Sequence, residues 1–239
     1  MKRLFLPGAR SGALAVSGPA FHHLVRVQRL EAGAQLEVFD GEGLTYPARL
    51  VAVGGEAATL ELGTPRQGST LTPIAVVQGL PKGDKLELVL QKGTELGATA
   101  FFPFAAERSV VKLGEKAGAK QQRWQKIVEE AARQCGRADV PRVEEAQKLD
   151  KVLAALAPGT RILVLDEEEK AVRLSHAAAL GEGPLAVVVG PEGGLSRDEV
   201  ALLQKHGARP VTLGPRILRT ETAALAALTV LRHLEGELG

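Results

Sequence analysis

The chain has 239 residues, of which 45% are hydrophobic and 24% are charged, and its formal net charge is +2. This apolar content suffices for a substantial core, which excludes an intrinsically disordered chain. A single cysteine excludes an internal disulfide framework and a CxxC-type zinc site, and the longest apolar runs are too short to span a membrane. No signal-peptide pattern follows Lys2 and Arg3, so we expect a soluble, cytoplasmic protein with neither a metal nor a membrane partner. Asparagine is absent, which is typical of a thermophile and also of a GC-rich genome.

The N-terminal part of the sequence predicts a small β domain. Its short alternating segments, separated by Gly or Pro, are 35–40, 46–53 and 57–63. Such segments are typical of a small antiparallel barrel or sandwich. Pro19 opens a stretch that predicts a helix at about 19–30. The turn-rich stretch 64–73 predicts a linker, so we place one domain at 1–70 and a second at 73–239.

The second domain alternates strands and helices. The predicted strands are 74–80, 98–104, 161–168, 184–190 and 208–214. The predicted helices are 84–97, 121–137, 196–207 and 220–235. Asp84 with Glu87, and Ser196 with Glu199, have the spacing of a capping box at a helix start. Because the strands at 161–168 and 184–190 are continuously apolar, we predict an α/β fold with a mostly parallel sheet.

A glycine-rich loop is the first candidate site. A buried strand runs into Gly190, Pro191, Glu192 and Gly193, and a capped helix follows. Ligands of open α/β sheets bind outside the carboxyl ends of the strands, where this loop lies, and glycine allows a ligand to approach the backbone closely. A tight strand-to-helix turn without a ligand would fit the same residues.

The next strand ends in a similar way. Gly214 and Pro215 are followed by Arg216 and Arg219, and a helix begins near Thr220. Two Gly-Pro dipeptides at the ends of consecutive strands favour a shared site. Taken alone, Arg219 and Glu221 would equally fit a surface ion pair at a helix start.

Common cofactor and catalytic motifs are missing from the sequence. There is no GxxxxGK[ST], no GxGxxG after an early strand, no GxSxG and no HExxH. His22 and His23 are adjacent, so on a helix their side chains project in different directions, which disfavours a shared metal ion. We therefore predict no phosphate-loop nucleotide site, no serine-hydrolase site and no metal site.

Four segments together carry a family resemblance that covers nearly the whole chain. They are QKGTELGA (91–98), EEAARQCGR (129–137), VVGPEGGLSRDE (188–199) and LGPRILRTETAAL (213–225). In this order and spacing they resemble the RsmE family of SPOUT-superfamily methyltransferases, which methylate N3 of a uridine in small-subunit (16S) rRNA. The resemblance implies a PUA-like β-barrel at 1–70 and a SPOUT α/β domain with a trefoil knot at 73–239. It also implies S-adenosylmethionine as methyl donor and a homodimer with the cofactor site at the subunit interface.

The resemblance also implies a set of cofactor-binding residues. Gly190, Pro191, Glu192 and Gly193 resemble the first knot loop. The residues that resemble the second knot loop are Leu213, Gly214, Ile217, Leu218 and Arg219. We expect Leu165, at the end of its strand, to line the same pocket from a third side. Backbone amides of the glycine-rich loops would hold a bent cofactor, and the apolar side chains would cover its adenine.

Methyl transfer to a ring nitrogen needs in-line placement and loss of the N3 proton. No histidine lies in either loop. Arg219 is the best candidate for steering the uracil and stabilising its developing anion. Glu221 is a candidate for orienting that guanidinium or for accepting the proton. We therefore predict Arg219 and Glu221 as the catalytic residues.

The small net charge hides a basic segment. Residues 108–142 contain nine basic and four acidic residues, a net charge of +5. A solvated helix face would account for this charge, and so would a surface that binds RNA phosphates. Lys126, Arg133 and Arg137 are expected to share one helix face. The full set of predicted RNA contacts is Arg10, His23, Arg26, Arg29, Lys82, Lys85, Lys92, Arg108, Lys126, Arg133 and Arg137.

Three functional interpretations remain at this stage. The first is an rRNA (uridine-N3) methyltransferase whose partner is 16S rRNA or the small ribosomal subunit. A second keeps the fold and the cofactor but methylates another RNA position, such as a ribose 2′-oxygen. A third is a non-catalytic RNA-binding module of ribosome assembly. The N-terminal barrel and the RILRTETA segment favour the first over the second, and the intact cofactor loops argue against the third.

Overall fold

Contacts divide the chain into two compact units in the computed structural model. The structure describes residues 2–68, 71–110, 117–178 and 183–239. The first unit comprises Met1–Thr70 with Ala132–Val140, and the second comprises Leu71–Ala131 with Pro141–Gly239. Residues 132–140 join the first unit although they lie in the α/β half of the sequence. Within that unit the amide of Val140 donates to the carbonyl of Gly41 at 2.9 Å.

The first unit is built on one mixed sheet. Its strands are β1 (Lys2–Phe5), β2 (Gly12–Ser17), β3 (Gln35–Phe39), β4 (Leu44–Val53), β5 (Ala57–Leu62) and β6 (Arg66–Gln67). In the described residues their order is β1-β3-β4-β5-β2, with β6 paired to β4. The predicted strands β3, β4 and β5 are confirmed as antiparallel neighbours. Neither β1 nor β2 was predicted: β1 is only four residues long and pairs in parallel with β3, and β2 pairs with the distant strand β5.

A short helical segment covers this sheet. It consists of α1 (Gly18–Phe21) and a continuing π-helical stretch, His22–Val27. Pro19 lies in the first turn as predicted, but the helix stops at Val27, and Arg29 adopts a left-handed φ of 54° that helical residues do not have. Phe21 and Leu24 point into the core of the unit. The predicted helix at 19–30 is therefore confirmed over 19–27 and wrong at its end.

The second unit is built on a parallel sheet. Its strands are β7 (Ile74–Gly79), β8 (Ala100–Ala105), β9 (Arg142–Val143), β10 (Gln147–Lys148), β11 (Arg161–Leu165), β12 (Leu185–Val189) and β13 (Arg209–Val211). The order is β10-β8-β7-β12-β11-β13, with β9 paired to β8, and every pairing among the described strands is parallel. The predicted α/β class is confirmed. β12 is buried along its whole length and β11 is buried at Ile162–Val164, which explains their continuous apolar sequences.

Helices cover both faces of this sheet. They are α2 (Lys85–Glu95), α3 (Ala117–Cys135), α4 (Leu149–Ala155), α5 (Leu174–Ala177), α6 (Arg197–Lys205) and α7 (Thr220–Leu234). The last helix, α7, packs against α2 and also contacts β7 and β12. In the part of the chain that the structure describes, no helix is both long enough and apolar enough to cross a membrane.

One of the two predicted capping boxes forms. Before α6 the Ser196 hydroxyl accepts from the amide of Glu199 at 3.2 Å, and the Glu199 carboxylate accepts from the amide of Ser196 at 2.9 Å. Before α2 the Asp84 side chain makes no capping hydrogen bond. Its backbone (φ −92°, ψ 10°) lacks the extended conformation that aims a cap side chain at the first turn, and Glu87 instead binds Arg123 at 2.8 Å. The prediction at Asp84 was wrong.

The central helix α3 ends earlier than predicted. Cys135 is its last residue, and Gly136 follows with a left-handed φ of 90°. Arg137 therefore lies beyond the helix and cannot share a helical face with Lys126 and Arg133. Its guanidinium forms a bidentate ion pair with Asp139, and its side chain is only 10% exposed.

Candidate active site

Three loops surround a cavity of about 380 Å³ in the second unit. They follow β11, β12 and β13, so all three lie at the carboxyl edge of the parallel sheet, where α/β folds bind their ligands. The predicted site residues that line this cavity are Leu165, Gly190, Pro191, Glu192, Leu213, Gly214, Ile217, Leu218 and Arg219. Gly193 and Glu221 are not among the lining residues.

The loop after β12 is tightly packed at its base. A Cβ on Gly190 would lie 3.0 Å from the backbone of Gly194 and Leu195, and a Cβ on Gly79 would lie 2.6 Å from the Pro191 ring. Only glycine fits either position without displacing backbone. The Gly193 carbonyl accepts from Arg108 at 3.1 Å, and Gly193 does not line the cavity. The glycines of this loop thus allow it to be compact, and Gly190 also lines the cavity.

Glu192 connects this loop to the start of α2. Its carboxylate accepts from Lys85 Nζ at 2.6 Å and from the backbone amide of Lys82 at 3.1 Å. Partial burial raises the pKa of Glu192, but the bonds from Lys85 and Lys82 outweigh burial and hold the pKa below its usual value. Glu192 is therefore a paired anion at neutral pH, and Lys85, predicted as an RNA contact, neutralises it.

The loop after β13 carries the exposed side chains of the cavity. The hydroxyl of Thr212 accepts from the amide of Gly214 at 3.2 Å and shapes the turn. Arg216 and Arg219 are exposed, and neither guanidinium has a hydrogen bond or an ion pair with another described residue. Ile217 is 80% exposed at the edge of the cavity, which is unusual for a large aliphatic side chain.

Arg219 and Glu221 do not form the surface ion pair that the sequence also allowed. No salt bridge joins them among the described residues. Glu221 lies in the first turn of α7, half-buried, and its Oε2 atom is buried without a hydrogen-bond partner in the described part of the chain. The structure thus places Arg219 at the cavity, whereas Glu221 does not line it.

The third wall contains an ion pair that was not predicted from the sequence. Arg197, the first residue of α6, donates two hydrogen bonds of 2.9 Å to Asp166, which follows β11. Partial burial raises the pKa of Asp166, but the bonds from Arg197 and from the amide of Glu168, with the nearby charge of Lys170, lower it overall. The same pair raises the pKa of Arg197. Nothing in the sequence indicates this pair, because its partners are 31 residues apart.

A buried polar cluster behind the cavity was also missed. Gln78, at the end of β7, is 1% exposed and donates from Nε2 to the Thr220 hydroxyl at 2.8 Å. Thr220 in turn donates to the Gly190 carbonyl at 2.6 Å. The available signal was the single polar side chain in the otherwise apolar segment IAVVQG.

The predicted RNA contacts are not equally available. Arg10, Arg26, Arg29 and Lys82 are exposed, and Lys126 is exposed on α3 close to Glu129. His23 lies 2.7 Å from the side-chain amide of Gln28. The side chains of Lys85, Lys92, Arg108 and Arg137 each have a protein partner, namely Glu192, Glu95, the Gly193 carbonyl and Asp139.

Three further basic residues, Arg133, Lys112 and Lys116, are not compared for availability to RNA. Arg133 lies in α3 and has interactions of its own. Lys112 and Lys116, which contribute to the basic segment, lie outside the described residues. In the ranges that the structure describes, no group of three or more His, Cys, Asp or Glu side chains could hold a metal ion.

Comparison with known proteins identifies both units. Residues 68–232 match a family model described as an RNA methyltransferase domain, and residues 16–63 match an RNA methyltransferase PUA domain. Ribosomal RNA small subunit methyltransferase E of Bacillus subtilis is 40% identical over 228 residues, 92% of this chain and 89% of the relative. The protein of the same name from Mycobacterium tuberculosis is 39% identical, over 91% of this chain and 86% of the relative.

A solved structure agrees with these matches. The crystal structure of ribosomal RNA small subunit methyltransferase E from Neisseria gonorrhoeae, bound to S-adenosyl methionine, superposes with a TM-score of 0.87. It is 33% identical, and the superposition covers 98% of each chain. The fold of the whole chain is therefore that of a methyltransferase with a PUA domain and a SPOUT domain.

Proposed function

The chain belongs to the ribosomal RNA small subunit methyltransferase E family, and from this we propose that it methylates N3 of one uridine in 16S rRNA. The methyl donor is S-adenosylmethionine. The observation that carries this function is the cavity at the carboxyl ends of β11, β12 and β13, which the two motif loops enclose. A relative of the same fold has been solved with S-adenosyl methionine bound.

The residues around the cavity fit such a cofactor. Its volume of about 380 Å³ lies in the range of small-molecule sites. Gly190 offers backbone with no side chain in the way, and Leu165, Leu213 and Leu218 offer apolar surface for an adenine. When bound, S-adenosylmethionine supplies an electrophilic methyl group on a sulfonium. The protein has to provide orientation, exclusion of water and a path for the N3 proton.

Arg219 supports the reaction from the substrate side. Its guanidinium is at the cavity, exposed, and without a partner among the described residues, so it is available to the target base. A fixed positive charge beside the uracil stabilises the anion that forms when N3 loses its proton. In the described chain Glu221 has no ion pair with Arg219 and does not line the cavity, so neither the orienting role nor the proton-accepting role predicted for it gains support, and we rest the proposed catalytic role on Arg219.

We further propose a homodimer with the cofactor site at the subunit interface. Ile217, 80% exposed beside the cavity, supports this arrangement, because a partner subunit would cover it. We expect sedimentation at twice the mass of the chain. A charged side chain in Ile217→Glu should shift the protein towards monomers and weaken cofactor binding.

A trefoil knot is proposed for the second unit. From the edge strand β13 the chain runs through 212–219 and returns to α7, which packs against α2 and contacts both β7 and β12. The first residue of α7, Thr220, bonds to the loop after β12. This return path supports a threaded chain.

The N-terminal unit is proposed to bind RNA, together with basic residues of the second unit. The exposed Arg10, Arg26 and Arg29 support contacts to phosphates. The family of this chain supports a ribosomal RNA partner, and we expect the protein to act in the cytoplasm.

Modification mapping tests the function. Mass spectrometry of small-subunit rRNA, from cells with and without the protein, should show one methyluridine that disappears when the protein is absent. Incubation of the unmethylated RNA or subunit with purified protein and S-adenosylmethionine should restore the methyl group at N3. If every uridine mark were unchanged, the proposed function would be wrong, and a lost ribose methyl group would identify a 2′-oxygen methyltransferase.

A further inference from the structure

Gln78 is an unusual residue for its position. It lies in β7, a central strand whose neighbours Val76 and Val77 are completely buried, and Gln78 itself is 1% exposed. Its Oε1 atom is buried and has no hydrogen-bond partner in the described residues. A buried acceptor without a partner lowers stability, and an apolar side chain of similar size would avoid that cost. Stability of the sheet therefore does not explain Gln78.

The hydrogen bonds of Gln78 have one consistent direction. Its Nε2 atom has two hydrogens, and the nearest acceptors are the Gly79 carbonyl at 3.0 Å and the Thr220 hydroxyl at 2.8 Å. Thr220 donates its own hydrogen to the Gly190 carbonyl at 2.6 Å, so its oxygen is free to accept from Gln78. The opposite orientation of the amide would place its oxygen against the Gly79 carbonyl. Gln78, Thr220 and Gly190 thus form one directed chain of hydrogen bonds.

This chain connects the two loops of the cavity. Gly190 is the residue at which β12 enters the first loop, and Thr220 is the residue at which the second loop enters α7. Both line the cavity, whereas Gln78 lies behind them and does not. The Thr220–Gly190 bond joins the two loops directly, and Gln78, on the central strand β7, anchors the Thr220 hydroxyl that makes this bond.

We propose that Gln78 and Thr220 are positioning residues that hold the two loops at the spacing required for S-adenosylmethionine. This inference rests on the proposed function, because the cofactor is the one assigned there. Gln78 acts through Thr220 and Gly190 and does not itself contact the cofactor. Loss of its amide should loosen the loops and weaken cofactor binding while leaving the sheet intact.

The test compares four variants by calorimetric binding of S-adenosylmethionine and by thermal unfolding. Gln78→Leu removes the amide, Thr220→Val removes the hydroxyl, and each should raise the Kd at least about tenfold. Thr220→Ser keeps a hydroxyl and should restore most of the affinity lost in Thr220→Val. Thr99→Val is the matched control, because the Thr99 hydroxyl donates to the Ile74 carbonyl at the opposite end of β7. It should leave the Kd unchanged.

Two further measurements separate positioning from general damage. The unfolding temperature of Gln78→Leu should stay close to that of the wild type, because removal of an unpartnered buried acceptor offsets the loss of the two hydrogen bonds that Nε2 donates. Amide hydrogen exchange without cofactor should become faster in both loops of Gln78→Leu and stay unchanged elsewhere. The double variant Gln78→Leu/Thr220→Val should bind S-adenosylmethionine no more weakly than the single variant that binds it more weakly, because both substitutions break the same chain of hydrogen bonds.

The outcomes distinguish this inference from the proposed function. Binding by the wild type with an unchanged Kd and unchanged loop exchange in Gln78→Leu would overturn the positioning role alone. A wild-type protein that does not bind S-adenosylmethionine would overturn the proposed function, and the cofactor part of this inference with it. Faster loop exchange in Gln78→Leu would then still support the connection between the loops.

Discussion

At the scale of single residues, the two loops divide their tasks. Gly190 lets the first loop fold back on itself at a distance that any Cβ would obstruct. Arg219, in the second loop, contributes a guanidinium with no partner in the described chain. Gly190 thus determines the shape of its loop, and Arg219 supplies a positive charge. We therefore treat cofactor binding and turnover separately.

Arg219→Ala should abolish methyl transfer and leave cofactor binding measurable. Loss of a charge that stabilises a developing anion typically costs about 10²–10³ in turnover. The measurements are single-turnover transfer to RNA and calorimetric binding of S-adenosylmethionine. Arg209→Ala is the matched control, since Arg209 is exposed at the start of β13, away from the carboxyl edge of the sheet. Near-normal turnover in Arg219→Ala would remove this residue from the mechanism.

At the scale of elements, side chains at helix starts hold the loops in place. The capping box of α6 satisfies two amides at the end of the first loop, and Glu199 also accepts from the amide of Glu107 at 2.9 Å. Arg197 in the same turn binds Asp166 and so connects α6 to the loop after β11. Two of the three loops around the cavity, those after β11 and β12, are therefore held by the start of this one helix.

Loss of the Ser196 cap should lower the free energy of unfolding measurably, whereas substitution of Asp84, which does not cap α2, should not. Ser196→Ala is expected to lower the free energy of unfolding by about 1 kcal/mol, the usual value for a lost N-cap hydrogen bond. Asp84→Ala is the control, because its side chain makes no capping bond, and it should stay within about 0.5 kcal/mol of the wild type. Urea unfolding provides both values, and equal losses in the two variants would contradict this interpretation.

The Asp166–Arg197 pair predicts a pH dependence of stability. The folded-state pKa of Asp166 is lowered, so its contribution is present above the unfolded pKa of about 3.9 and is lost as the pH falls through the lower folded value. At pH 7 Asp166→Asn should lower the free energy of unfolding by about 1 kcal/mol or less, because Arg197 is partly exposed and screened. This difference between the variant and the wild type should shrink as the pH decreases below about 4.

Thermal unfolding between neutral and acidic pH tests this sign. Glu56→Gln is the control, since Glu56 is an exposed turn residue with no salt bridge among those that the structure describes. A difference between Asp166→Asn and wild type that grows in acid would show that the pair stabilises the protein by another route.

At the scale of the whole molecule, charge is distributed unevenly. The net charge of +2 averages a basic segment at 108–142 with near-neutral surroundings. Several of its basic side chains are engaged within the protein, among them Arg108, Arg123 and Arg137. The surface available to RNA is therefore smaller than the count of basic residues suggests, and Lys126 is its best candidate on α3.

RNA binding should weaken with salt and with charge reversal. Lys126→Glu and Arg26→Glu are expected to lower affinity for the rRNA substrate and to reduce the slope of log K against log salt, by about one unit for each lost phosphate contact. Lys151→Glu, an equal change on α4, should have no such effect. The measurement is RNA binding at several salt concentrations, and equal losses in all three variants would indicate a general charge effect without a defined surface.

Whether a feature could be predicted from the sequence depends on how far apart in the chain its interacting residues lie. Most strand and helix positions of the second unit, the parallel class of its sheet and the capping box at Ser196 are local patterns, and the sequence predicted them. The absence of a cap at Asp84 and the early end of α3 at Cys135 depend on backbone dihedrals that residue types only bias. The strands β1 and β2, the Asp166–Arg197 pair and the Gln78–Thr220 connection join residues 31 or more positions apart, or pair short strands with distant partners.

The sequence by itself determined which residues form the two loops, and these residues were enough to indicate the family. It also determined that a small β domain precedes an α/β domain, because alternation and apolar runs are read within a few residues. Only the tertiary structure decided that the loops enclose one cavity with Gln78 behind it, and which basic side chains are already paired. Those facts depend on which distant segments meet, and no local pattern encodes the distance between residues such as 78 and 220.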